Sequence, residues 1–394
     1  MRIKNLPFVI ATAAIVLTGC NSESDVNDDS APISPTGPLE LTDDTWSAGQ
    51  DRILGLNFSG TATTPVLSMM KGAPVSGQDG DLFTLRTVTY PDTTFSDLRV
   101  IDNANDRQDY QDFDIITANA KDYVIACQDG NNTVGYAQPV KLQIWQADAP
   151  SDIKTIKLED ANGAFTLRDC NALDAQFTQG TSEAMAAQVF VVGYSEPTGG
   201  GFGGDRLVRV DLTVDTTKTI AAGAVTASTG TDDTAANGLY FVDDNFDRLD
   251  AVAVHRTAIY LTQFDDSTGA NQLYFLNPAA ANPTATLVSE STTDVFANAE
   301  QAQWVEDMVV VPGISDHDKI YLVSSSSAPG VAIAGYRPYV NNVPAQPLAL
   351  STDTLAERCS DVIAAVANAG SGQLMWCYDS TDAGKIIQLQ VPFE

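Results

Sequence analysis

From about residue 38 to its end the chain runs in apolar stretches of four to seven residues, each closed by clusters of Gly, Asn, Asp, Ser, Thr and Pro. Short apolar runs between turn residues are the pattern of strands; a helix would repeat its apolar positions every three to four residues over a longer span. Residues 296–304 and 354–369 compete as helices, but the second fits better as a strand of a repeat. That repeat is marked by an Asp standing directly before a short apolar strand, at Asp51, Asp114, Asp174, Asp250, Asp307 and Asp361, with intervals of 63, 60, 76, 57 and 54 residues. A second strand follows each, at 66–70, 123–127, 189–194, 259–262, 320–323 and 374–377, then a third, and in most units a fourth. The sixth unit runs out before its fourth strand, while residues 39–41 stand unassigned at the start.

Units of four strands recurring about every 60 residues, with a spare strand to complete the last sheet, predict an all-β fold: a six-bladed β-propeller closed by its N-terminal strand. Closure has a physical motive, because an open ring would leave its first and last blades with exposed edges and uncovered faces. A seven-bladed propeller is the alternative, since the 76-residue interval could hide a unit, and a pair of β-sandwiches is another.

Composition changes the picture in two places. A 394-residue chain that is 44% hydrophobic has ample material for a packed core, and its formal charge of −30 repels phosphate backbones, so nucleic acid is excluded as a partner. The first twenty residues read differently from the rest: Arg2 and Lys4, then an apolar stretch at 7–18 too short to span a membrane comfortably, ending Leu17-Thr18-Gly19-Cys20. That tetrapeptide resembles the lipobox of bacterial lipoproteins. The resemblance implies cleavage before Cys20 and lipidation of its thiol, so that acyl chains such as palmitate hold the protein to the membrane. The chain then divides into a signal peptide at 1–19, a lipidated flexible tether at 20–37 that is acidic and poor in aliphatic residues, and a single propeller domain at 38–394. Asn21 and Ser22 follow the cysteine, and the absence of Asp at the second position is similar to lipoproteins sorted to the outer membrane, facing the periplasm or the surface.

Four cysteines remain after Cys20, an even number suited to an oxidising compartment. In an antiparallel blade the start of the first strand lies beside the end of the second. Cys359 and Cys377 hold those places in the sixth unit; Cys127 ends the second strand of unit two, and Cys170 precedes the first strand of unit three on the same face. The expected bridges are Cys127–Cys170 and Cys359–Cys377.

Chemistry is sparsely supplied. The six aspartates would meet at one mouth of the channel, where carboxylates could hold a hard cation such as Ca2+. The plainer reading gives each Asp a turn role, accepting backbone N–H bonds in the loop that enters its strand. Acidic clusters at 102–109 and 243–250, Asp316-His317-Asp318 and the glycine run 199–204 read as solvated turns or hairpins, and His255 as a core or channel-lining residue. Two histidines in separate units supply His-dependent hydrolysis poorly.

Residues 249–261 (LDAVAVHRTAIYL) resemble the inner strands of NHL and gluconolactonase-like six-bladed propellers. The resemblance implies the fold; in the gluconolactonase-like enzymes a channel metal is held by Glu, Asn and Asp, whereas the slots here are uniformly Asp. The functional expectation is a cell-envelope binding or scaffold module for a protein or glycan partner. The alternative is a Ca2+-dependent hydrolase or lactonase at the channel mouth.

Overall fold

The computed structural model describes residues 39–391, apart from 62–63, 75–80, 90–91, 102–109, 130–138, 160–164, 182, 198–203, 228–238, 242–245, 247, 256–257, 278–284, 289–294, 297–303, 312–318, 325–332, 340–342, 348–357 and 369–371. No α-helix occurs among the described residues. The competing stretch 354–369 instead contributes a strand, as the repeat requires, and most of 296–304 lies outside the described residues.

Among the described residues six sheets follow one another along the chain. The N-terminal strand is β1 (Leu39–Thr42). The first blade is β2 (Arg52–Thr61), β3 (Thr64–Pro74), β4 (Asp81–Thr89) and β5 (Ser96–Ile101). The second is β6 (Tyr110–Ala118), β7 (Lys121–Gln128), β8 (Lys141–Gln146) and β9 (Ala149–Lys157). In the third, β11 (Ala172–Gly180), β12 (Ala184–Pro197) and β13 (Asp205–Asp215) form the body, with short β10 (Phe165–Leu167) on β12 and short β14 (Val225–Ala227) and β15 (Leu239–Phe241) on β13. The fourth is β16 (Leu249–His255), β17 (Ala258–Asp265), β18 (Ala270–Leu276) and β19 (Thr286–Leu287); the fifth is β20 (Val305–Val311), β21 (Lys319–Ser324), β22 (Ile333–Tyr339) and β23 (Val343–Pro347). The sixth is β24 (Cys359–Asn368), β25 (Gly372–Asp379) and β26 (Lys385–Val391), completed by β1. Among its described residues the long 76-residue interval therefore holds the extended β12–β13 hairpin and two short outer strands rather than a seventh blade.

The first strands of the blades pack on one another in a closed cycle, β2 on β6, β6 on β11, β11 on β16, β16 on β20, β20 on β24 and β24 on β2. Each of six apolar clusters fills the space between two neighbouring blades. Tyr123, Ile125 and Leu142 meet Val189, Val191 and Val210 between the second and third; Leu374 and Trp376 meet Leu56, Leu67 and Met69 between the sixth and first. The other four junctions are filled in the same way. Because a blade is covered on both faces, its middle strands carry runs of consecutive apolar residues, and β7 and β21 bury six residues in succession. This is why the sequence shows apolar runs instead of a clean alternation.

Closure is made by β1, which pairs antiparallel with β26 from Leu39 opposite Gln388 to Thr42 opposite Lys385. Beyond it the chain is strapped to the first blade: the Thr42 N–H donates to Thr93 O (3.0 Å), and the buried Asp43 carboxylate is ion-paired with Arg86 and Lys71. Lys71 also holds Asp51 at 3.1 Å. Both expected disulfides are formed. Cys127–Cys170 joins the second blade to the approach to the third with 6.5 Å between Cα atoms, and Cys359–Cys377 spans β24 and β25 at 5.3 Å.

Candidate functional site: the central channel

The cycle of inner strands encloses a cavity of about 220 Å3, lined by Asn57, Asp112, Asp114, Asp174, Asp307 and apolar residues of all six blades. The volume is below the ~300–1,000 Å3 usual for a small-molecule site. The inner strands pack side by side but belong to different sheets, with no backbone ladder between them among the described residues, so their N–H groups toward the neighbouring blade need other acceptors.

The aspartates supply those acceptors, all by the same device. In each, Oδ1 accepts the N–H of the following residue: Phe113 for Asp112 (2.7 Å), Ile115 for Asp114 (2.6 Å), Ala175 for Asp174 (2.7 Å) and Met308 for Asp307 (2.7 Å). In each, Oδ2 reaches across and accepts an N–H of the next inner strand: Leu173 from Asp112 (2.8 Å), Ala175 from Asp114 (2.8 Å), Val254 from Asp174 (2.6 Å) and Ile363 from Asp307 (2.9 Å). Asn57 of the first blade donates to Asp114 Oδ1 and extends the chain of clasps back one blade. Of the six singled-out aspartates, Asp114, Asp174 and Asp307 do accept backbone N–H bonds, but from within the strands and across the blade junctions rather than in the loops before them.

Burial pushes all four carboxyls above the ordinary carboxylate range, against the lowering effect of their N–H bonds. Asp112 is raised further by Asp307 and then by Asp114, and Asp174 further by Asp114. Asp307 reaches about 7.

The other three of the six singled-out aspartates do not line the channel. Asp51 is the partner of Lys71 in the strap and also accepts the Ser47 N–H. Asp250 occupies a bulge between Leu249 and Ala251, where Arg248 Nε donates to its Oδ1 at 2.7 Å; burial raises it to about 7, against the lowering effect of Arg248. Asp361 sits in a second bulge with a left-handed backbone, φ 63°, and accepts the Ser360 hydroxyl. Bulges rotate a side chain away from the regular pleat, which is why a common place in the repeat does not become a common place in space. Among the described residues no three His, Cys, Asp or Glu side chains converge as a metal site. His255 is buried at the end of β16, as expected. The segments 102–109, 199–203, 242–245 and 316–318 lie outside the described residues.

Asp112 was not singled out from the sequence. Its signal is the Asp112-Phe113-Asp114 alternation, which puts two carboxyls on one face of a strand. The bulge in β6 between Tyr110 and Asp112 sets which face that is.

No family model matches this sequence, and no curated protein matches it. Among solved structures it is similar in shape to the α-L-arabinanase of Penicillium chrysogenum complexed with arabinobiose, at TM-score 0.51 and 6% identity, with 90% of this chain and 99% of that chain covered. It is also similar to a mutant α-L-arabinofuranosidase of Fusarium graminearum in complex with an iminosugar inhibitor, at TM-score 0.50 and 6% identity, covering 90% and 97%. At such identity the likeness is one of fold, and the β-propeller is the conclusion it carries.

Proposed function

We propose that this chain is a glycan-binding β-propeller of the bacterial cell envelope, tethered by a lipid on Cys20, that retains its ligand without cleaving it. One observation carries the non-hydrolytic part: both oxygens of Asp112, Asp114, Asp174 and Asp307 are committed to backbone N–H groups that hold the ring together. Glycoside hydrolysis needs two carboxyls placed about the scissile bond and able to exchange protons with it. Carboxyls already spent on clasping blades are poorly placed for that work. The Ca2+-dependent hydrolase or lactonase alternative finds no support in the channel, where no metal-holding set converges among the described residues.

The glycan is suggested by the two structures of like fold, whose own ligands are arabinobiose and an iminosugar. Envelope anchoring is supported by the Leu17-Thr18-Gly19-Cys20 resemblance and the acidic tether at 20–37. In sequence the tether precedes β1, the outer strand of the sixth blade.

The test is to incubate the chain with arabinobiose and a panel of neutral oligosaccharides, measuring retention and release of new reducing ends together. Reversible retention with no release supports the reading. Steady release of reducing ends would overturn its non-hydrolytic part, and no retention of any glycan would overturn the binding part.

A further inference from the structure

We propose that Arg248, Asp250 and Trp304, on the rim between the fourth and fifth blades, form a subsite for the hydroxyl groups of a neutral glycan. This deepens the glycan-binding reading and rests on it. Arg248 immediately precedes β16 and Trp304 immediately precedes β20, so both stand where the inner strands of adjacent blades begin, at one end of the ring. The Arg248 guanidinium lies over the Trp304 ring with its carbon 3.8 Å from the ring centroid, and its Nε–H is bonded to Asp250 Oδ1. The stack and this bond fix the orientation of a side chain that is still 40% exposed. Guanidinium carries five N–H donors, and the bond to Asp250 engages only the one on Nε. Among the described residues no bond is made by the donors on Nη1 and Nη2.

Beside them is an acceptor with nothing to accept. The Asp250 side chain is only 4% exposed, yet its Oδ2 has no hydrogen-bond partner among the described residues. Buried polar atoms are almost always bonded, and one left over beside a fixed, exposed cation calls for an explanation. Along the channel the carboxyls clasp the next blade, but Asp250 is turned by its bulge toward Arg248 and, among the described residues, clasps no backbone N–H across the junction.

A free donor fork next to a free acceptor selects its ligand by chemistry. A carboxylate or phosphate could accept from Arg248 but could not donate to the ionised Asp250, and it would add a charge of the same sign as Asp205 and Glu306, which already act on Asp250. An ammonium could donate but not accept. A hydroxyl does both at once, and neighbouring hydroxyls on a sugar ring can do so at two positions. A neutral polyhydroxylated ligand is therefore the class that fits.

The experiment is calorimetric titration of the full-length chain with arabinobiose, maltose and, as an anionic control, digalacturonate, for wild type, Arg248→Gln, Asp250→Asn and Trp304→Phe. Wild type is expected to bind a neutral disaccharide in preference to digalacturonate. Arg248→Gln and Asp250→Asn should weaken that binding about ten- to a hundredfold, the effect of losing a hydrogen bond with a charged partner. Trp304→Phe, which keeps a ring beneath the guanidinium, should weaken it less, and it serves as the site variant if a melting curve shows that Asp250→Asn has lost the fold. Neutral binding unchanged in Arg248→Gln and in whichever of the other two is folded overturns this subsite while leaving the glycan reading intact. Tighter binding of digalacturonate overturns the ligand class, and failure of wild type to bind any sugar overturns both readings.

Discussion

Replacing Asp307 by Asn isolates one clasp and its proton. In the native chain the two carboxyl oxygens accept the N–H groups of Met308 in β20 and Ile363 in β24. An amide keeps one acceptor and turns its NH2 toward the other backbone N–H, donor against donor. Leaving such a buried group unsatisfied costs about 1–3 kcal/mol. The pH dependence follows from the carboxyl's own titration. Burial raises Asp307 from an ordinary 3.8 to about 7, so between those values the folded chain holds a proton that the unfolded chain has released. Stability then falls as pH rises, because its slope with pH has the sign of protons bound unfolded minus protons bound folded. The contribution is complete below the unfolded value and lost as pH passes the folded one, and the interval corresponds to at most about 4 kcal/mol. Asn cannot titrate, and it also removes the charge that raises Asp112. Urea unfolding followed by tryptophan fluorescence at pH 5 and pH 9 should therefore find Asp307→Asn less stable than wild type by about 1–3 kcal/mol at pH 5. At pH 9 the gap should close or reverse. A gap that is constant, or that widens toward pH 9, would refute the buried-proton argument, and no gap at pH 5 would refute the clasp.

Other perturbations test the frame. Gly193→Ala would place a methyl carbon 1.9 Å from the Asp169 carbonyl oxygen, a backbone atom with no room to yield, so soluble folded protein should be largely lost while Ala substitution at exposed Thr155 leaves its yield unchanged. Replacing both Cys127 and Cys170 by Ala opens a loop with a sequence separation of 43 and should cost about 4 kcal/mol, against about 3 kcal/mol for the separation of 18 between Cys359 and Cys377, read as urea midpoints of the two double variants. Thermal melts of the purified chain with EDTA and with added Ca2+ should coincide, and a fall on chelation would restore the aspartates as metal ligands. Cys20→Ala should abolish incorporation of labelled palmitate and release the protein from the membrane fraction.

The architecture was open to sequence reading because a propeller writes its period into the chain. Six apolar strands beginning near Asp51, Asp114, Asp174, Asp250, Asp307 and Asp361 announce six sheets, and the unused Leu39-Glu40-Leu41 announces the closing strand. The two disulfides were legible for the same reason: antiparallel pairing within a repeat sets Cys359 beside Cys377, and the common face of adjacent repeats sets the end of a second strand, Cys127, near the approach to the next blade's first strand, Cys170. Strand starts were harder: Asp114 lies in the middle of β6 because a buried carboxylate bonded to two backbone N–H groups is compatible with strand geometry, which a pattern of polar and apolar letters does not convey.

What the sequence determined by itself, then, was the four-stranded repeat, a strand to spare for closure, the expected bridges and the net negative charge, all of which follow from local pattern and from repetition, while the choice of six blades over seven needed the sheets themselves. Only the tertiary structure decided what the aspartates do. A bulge of a single residue sends Asp250 toward Arg248 and the rim, while Asp307, one place beyond its own bulge, faces the channel and the next blade. Equivalent letters acquire different chemistry because side-chain direction in a strand alternates residue by residue, and a shift of one position, invisible in the repeat, exchanges the two faces.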